Sequence, residues 1–204
     1  MNKKDAVLQS HCRTVMVPRY EELEPCRVGQ TRYLMGQGGL YLETRTPWGH
    51  LVEKLWNSPR TFPYGEVEEV DKFALVFHRS GTALAQARVW ASYNAASDVE
   101  DASVVVYDAR SDEFYPLGRP ASTRTATRIT SKLPEIEDHE SIAIDVHSHG
   151  RLPAYFSSED NEDDKGGVRI CVVFGAWDGF RFTQAVMRYV VEGHFFDREV
   201  QVQL

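Results

Sequence analysis

The run DVHSHGRLPAYFSSED, residues 145–160, holds the side chains most capable of chemistry. His147 and His149 stand two apart. On an extended strand successive side chains alternate, so both imidazoles leave one face, roughly 6.5–7 Å apart along the strand. That separation lets two rings converge on one metal ion. Seven residues intervene before Ser157 opens a Ser-x-x-Asp unit ending at Asp160. At a helix start, positions three apart share a face, so Ser157 and Asp160 can both look back at the histidines. Two imidazoles and one carboxylate suit Zn²⁺ with a fourth position open to water. Each half has a plainer explanation when taken singly. His-x-His is common, and Ser-x-x-Asp is an ordinary helix cap. The acidic run Glu159–Asp164 is explained by helix-dipole compensation and solvation. It is the two halves together, at fixed separation on compatible elements, that point to a metal site.

These residues need a strand ending at the histidines and a helix starting at Ser157. Ser141–His147, with Ile142, Ile144 and Val146, reads as that strand, and Ser157–Asp164 as the start of a short helix. Upstream, Ser80 or Thr82 caps a helix running to about Ala95, its apolar stripe formed by Leu84, Ala87, Trp90, Ala91 and Ala95. Ser103–Tyr107, with three consecutive valines, suits a strand buried on both faces. Val168–Phe174, Ala185–Val191 and Phe195–Val202 read as later strands, with Phe114–Leu117 and Ser122–Thr130 as weaker candidates. In the first 70 residues, Thr31–Met35 and Leu40–Thr44 form a hairpin around Gly36–Gly39. Residues 1–30 read as irregular, Trp48–Trp56 as a short helix and Phe73–Phe77 as a strand. The expected class is α/β (α+β), a mixed sheet flanked by helices. A boundary near Asp71 divides an extension, 1–70, from a core, 71–204.

Composition narrows the function classes. The 204 residues include 30 acidic and 23 basic side chains, a net charge of −7 that disfavours direct binding to nucleic acid or anionic membrane. No apolar stretch reaches the ~18 residues of a membrane span. The first 20 residues carry Lys3, Lys4 and Asp5 without an apolar core, so no secretory signal is expected. Cys12, Cys26 and Cys171 are widely spaced and form no CxxC pair, which fits a reducing cytoplasm and leaves metal binding to His and carboxylate.

Other enzymes that open with His-x-His do not fit. The HxHxDH pattern of metallo-β-lactamases needs Asp where Arg151 stands. An amidohydrolase barrel needs ~200 further residues, against 55 after His149. HExxH is absent. The run His147-Ser148-His149, seven residues, then Ser157 to Asp160 resembles the JAMM/MPN+ (JAB) metalloprotease family, over roughly residues 72–204. The resemblance implies a JAMM/MPN-like mixed sheet with cytidine-deaminase-like layering, bound Zn²⁺, and a catalytic glutamate after the first long helix. Glu100 takes that position. Glu43 precedes the helix, and Glu113 lies past the central strand. Two departures are Gly150, where the family usually has Pro, and Asp98-Val99-Glu100, where it often has Pro-x-Glu. They shift the resemblance toward a bacterial branch. The string around His-Ser-His-Gly and Ala154-Tyr155-Phe156-Ser157 is similar to the branch encoded in PRTRC cassettes of plasmids and mobile elements, as are Gly39–Glu43, Pro47-Trp48 and Pro63–Gly65.

The resemblance implies a zinc-dependent isopeptidase or peptidase. His147, His149 and Asp160 are the ligands, Glu100 the general acid–base and Ser157 a hydrogen-bond donor to the oxyanion. It implies as partners a ubiquitin-like protein or conjugate and an E1/ThiF-like protein. The alternative is a non-catalytic MPN-type scaffold in a mobile-element-encoded complex; a weaker one is a metallohydrolase of small-molecule conjugates. Asp145, Asp163 and Asp164 are possible braces of the site or solvated residues. Arg119, Arg124, Arg128 and Lys132 form a basic interval that reads best as a charged strand edge. His11, His50, His78, His139 and His194 show no partner spacing and are assigned nothing.

Overall fold

The computed structural model describes residues 2–92, 100–119, 121–124, 129–131 and 133–200. The chain divides into two compact units, Met1–Leu75 and Val76–Leu204.

The first unit is built on a five-stranded sheet in chain order: β1 (Cys12–Met16), β2 (Gln30–Gly36), β3 (Gly39–Arg45), β4 (His50–Asn57) and β5 (Val70–Asp71). Helix α1 (Lys3–His11) precedes it. The hairpin of β2 and β3 turns where expected, Gly36 pairing with Gly39. Leu34, Tyr41, Val52 and Val17 form a buried cluster. Two expectations fail here. Residues 1–30 are not wholly irregular, because β1 pairs in parallel with β2; pairing between distant segments leaves little local pattern. Trp48–Trp56 is mainly strand rather than helix. Leu51 and Val52 are both buried, and β4 takes its hydrogen bonds from β3.

Phe73–Phe77 is also corrected: α2 is a helix over Ala74–Arg79. A short apolar run does not reveal its period. Here the Asp71 carboxylate accepts a hydrogen bond from the Ala74 N–H at 3.0 Å, a side-chain cap that favours helix.

The second unit carries α3 (Gly81–Ser92), β6 (Ala102–Asp108), β7 (Glu113–Gly118), β8 (Ala121–Arg124), β9 (Ile129–Ser131), β10 (Glu140–Ser148), α4 (Ser158–Asp163), β11 (Val168–Trp177), β12 (Phe182–Val191) and β13 (His194–Arg198). Six strands form a mixed sheet in the order β13-β12-β11-β10-β6-β7, while β8 and β9 make a separate ribbon. Only β10 and β11 run parallel in the large sheet, and α4 lies in their crossover. The fold is thus the expected α+β class. Every residue of β6 from Ala102 to Tyr107 is buried. On β10 the register slips between Ile142 and Ile144, so the expected apolar face breaks at its start; Ile144 and Val146 are fully buried. Residues 93–99, which include the expected end of the α3 helix, lie outside the described residues.

Helix α3 packs on β6, β7 and β10 through Ala83, Leu84, Ala87 and Ala91. Two buried serines secure it. Ser103 on β6 donates to the Ala87 carbonyl at 3.0 Å, and Ser148 on β10 to the Ala91 carbonyl at 2.6 Å. Ser148 therefore faces α3, and strand alternation turns its neighbour His147, with Asp145, to the opposite face.

Candidate metal centre

His147 is the next-to-last residue of β10, opposite Val173 of β11. The ladder runs one step further, the His149 N–H donating to the Phe174 carbonyl at 2.8 Å. That added step keeps His147 and His149 in strand alternation. Gly150 then turns the chain at φ +55°, a left-handed conformation closed to proline. The departure at this position thus reflects a differently built turn. The following loop crosses β11 closely: a Cβ at Gly175 would lie 2.4 Å from the Ala154 nitrogen.

The His149 Nδ1 donates to the Pro153 carbonyl at 3.2 Å, which leaves the Nε2 lone pair free. Burial, then the neighbouring His147, push the His149 pKa down. The ring is held neutral, the form a metal requires. Its face packs edge-on against Tyr155 at 4.6 Å.

Asp160 comes from α4, whose start is a reciprocal capping box. The Ser157 hydroxyl donates to Asp160 Oδ2 at 2.7 Å and accepts from the Asp160 N–H at 3.1 Å; the Ser157 N–H donates to the same Oδ2 at 2.6 Å. With Oδ2 fully engaged, Oδ1 lies 3.3 Å from His147 Nε2. The ligand atoms of His147, His149 and Asp160 all fall within 4.8 Å of one another. Donors ~2.0–2.1 Å from a tetrahedral zinc lie about 3.3 Å apart, so the His147–Asp160 separation already equals one edge of such a site. His147 Nε2 is buried and has no hydrogen-bond partner. A cation at the centre of the three donors would satisfy it, and the residues fit zinc.

Glu100 is buried at the head of β6. The Ser148 N–H donates to the Asp101 carbonyl at 3.0 Å, and His147 pairs with Ala102. Glu100 therefore lies just beyond the last paired residues, at the same end of the β6–β10 pair as His149. The other two glutamates are elsewhere. Glu43, in the first unit, binds buried Arg32 at 2.6 Å and His50 at 2.9 Å. Glu113 is exposed at the start of β7.

A cleft of about 450 Å³ opens beside His147 and Asp160. Its walls include buried acidic groups held by arginines from other elements. Asp145 is buried, and Arg119 Nη1 donates to both its oxygens at 2.7 and 2.9 Å. Asp164 is not on a solvated acidic face: it is buried, caps the C-terminal end of α4, and receives Arg169 at 3.1 Å and Arg188 at 2.7 Å. Desolvation pushes its carboxyl up, but Arg188, the Cys171 thiol and Arg169 together more than offset this and hold it below the ordinary range. Asp163 is exposed. Burial, then the neighbouring Asp164 and Asp145, raise the Cys171 thiol far above the ordinary thiol range, so the cleft offers no thiolate ligand. Arg169 and Arg188 carried no local signal, each being the one charged residue on its strand. Arg119 was visible in the basic interval; Arg128 and Lys132, and the side chain of Arg124, lie outside the described residues.

Residues 2–74 match the model of a domain of unknown function, DUF2016. Residues 81–190 match the model of the prokaryotic homologs of the JAB domain. No curated protein matches the chain. The second match covers more than half of the sequence and contains the strand, turn and capped helix that gather His147, His149 and Asp160, and the chain belongs to the family of prokaryotic homologs of the JAB domain.

Proposed function

We propose that the chain is a JAMM-type zinc metallopeptidase that hydrolyses a peptide or isopeptide bond at the C-terminal tail of a ubiquitin-like protein. The observation that carries this reading is the convergence of His147, His149 and Asp160 around an unsatisfied, buried His147 Nε2. Zinc bound by these residues supplies Lewis acidity and lowers the pKa of water from ~15.7 toward ~7.

The chain's own residues supply the rest. His149 is fixed in one tautomer by Pro153 and held neutral by burial. Ser157 orients the Asp160 carboxylate through Oδ2. Glu100, at the same end of the β6–β10 pair as the histidines, takes the proton of the attacking water and returns it to the leaving nitrogen. The Ser157 hydroxyl proton is directed at Asp160; turned toward the substrate carbonyl, it donates to the developing oxyanion. Cleavage at a tail fits a site reached through an open cleft. An E1/ThiF-like protein acting on the same tail is the natural partner of this chemistry. The absence of a disulfide among the described residues favours a cytoplasmic setting.

The test is hydrolysis of a fusion joined through a ubiquitin-like C-terminal tail. The zinc-loaded chain should cleave it, a chelator should stop cleavage, and Glu100→Gln should lower the rate ~10²–10⁴-fold at unchanged zinc content. A zinc-loaded chain that binds the tail but cleaves nothing would establish the scaffold alternative instead.

A further inference from the structure

Helix α4 has an unusual way of staying in place. Its six residues, Ser158–Asp163, include none that is buried, and none of SEDNED is apolar. A helix normally docks through an apolar stripe; this one has none. It also concentrates carboxylates at Glu159, Asp160, Glu162, Asp163 and Asp164, which repel one another; Glu159 and Asp160 suit the positive end of the helix dipole, but Asp163 and Asp164 lie at its negative end. The capping box fixes only its first turn.

The remaining constraint comes from β12, two strands away from the histidines in the sheet. Arg188 is 3% exposed. Its Nη1 donates to Asn161 Oδ1 at 2.5 Å, and its Nη2 to Asp164 Oδ2 at 2.7 Å. Its guanidinium lies 3.8 Å from the ring centre of Phe156 and 4.3 Å from that of Phe195. One planar fork thus holds the residue before the N-cap, the middle of the helix and its C-cap. Asn161 is the neighbour of Asp160. From the next strand, Arg169 reaches the other oxygen of Asp164 at 3.1 Å and lies 3.8 Å from Asp145, two residues before His147. Both ligand-bearing elements are therefore tied to one charge network.

We propose that Arg188 is a positioning residue for the metal centre: it seats α4 so that Asp160 meets His147 and His149. Arginine is needed here because only a planar fork can donate along two directions while stacking between two rings. The proposal rests on the metal-site reading above, and the test separates the two. Zinc affinity of the full chain is measured by competition with a chelator, beside urea unfolding of the metal-free protein. Arg188→Met keeps an unbranched stem between Phe156 and Phe195 but removes the fork, and should weaken zinc binding ~10–100-fold, the range for groups that orient ligands. Val190→Ala, on the same strand in the core, is the stability control and should keep wild-type affinity. If Arg188→Met does not fold, Asp164→Asn and Asn161→Ala carry the same test, since each loosens one arm of the fork. Zinc affinity within twofold of wild type in Arg188→Met, or in both substitutes, overturns the positioning role. A wild-type chain that takes up no zinc overturns the metal-site reading itself.

Discussion

Helices α3 and α4 belong to the same unit and serve the same strand, β10, yet they are held by opposite physics. Helix α3 buries Ala83, Leu84, Ala87 and Ala91 against β6, β7 and β10, with Ser103 and Ser148 satisfying two of its carbonyls. Helix α4 buries no residue and is held by its capping box, by Arg188 and by Arg169. Apolar burial is non-directional and tolerant of small shifts. Hydrogen bonds from a guanidinium fork are directional. The helix that only builds the core uses the first, and the helix that brings Asp160 to the histidines uses the second. A ligand carboxylate placed to within a fraction of an ångström benefits from directional restraint more than from bulk adhesion.

The comparison can be broken most sharply at Asp160. Asp160→Ala should remove zinc from the purified chain, from about one ion to near none by elemental analysis. Unfolding of the metal-free protein should shift by only the ~1 kcal/mol of a lost capping interaction. Leu84→Ala in α3 should do the reverse. It should destabilise the fold by ~2–5 kcal/mol in urea while the folded fraction keeps its zinc. If Leu84→Ala lost zinc in proportion to stability, the division between the two helices would not hold. Ser157→Ala should cost ~1 kcal/mol of stability and, because Asp160 Oδ2 loses one of its two Ser157 donors, reduce zinc affinity ~10-fold. The smallest effect concerns protons. The His149 pKa is depressed in the folded, metal-free protein, so below about pH 6.5 the unfolded chain binds the proton more readily. Stability from neutral His149 is present above that pH and is lost as pH falls through the depressed value; NMR titration of its ring protons reads this directly.

The candidate site was largely legible because its parts are local. His-x-His needs only strand alternation, and Ser-x-x-Asp needs only a capping box, so side chains a few residues apart carry each half. The strand Ser103–Tyr107 and the α3 stripe were legible for the same reason. Two short apolar segments were not. Trp48–Trp56 and Phe73–Phe77 are each too brief to display a period, and their outcomes turned on a β3 partner and on the Asp71 cap. The roles of Asp145 and Asp164 were also hidden. Asp145 on a strand and Asp164 at a helix end look solvated until the partners arrive, and Arg119, Arg169 and Arg188 arrive from three other strands or strand ends.

By itself the sequence determined the donor types, two imidazoles and a carboxylate, and the spacings that make them converge, because strand alternation and helix capping act over a few residues. Only the tertiary structure decided that Glu100 falls at the same end of the sheet as the histidines, since that depends on the register between β6 and β10. It alone decided how a helix with no apolar face stays seated, because Arg188, the fork that spans it, is distant in sequence and meets it only through the order of strands in the sheet.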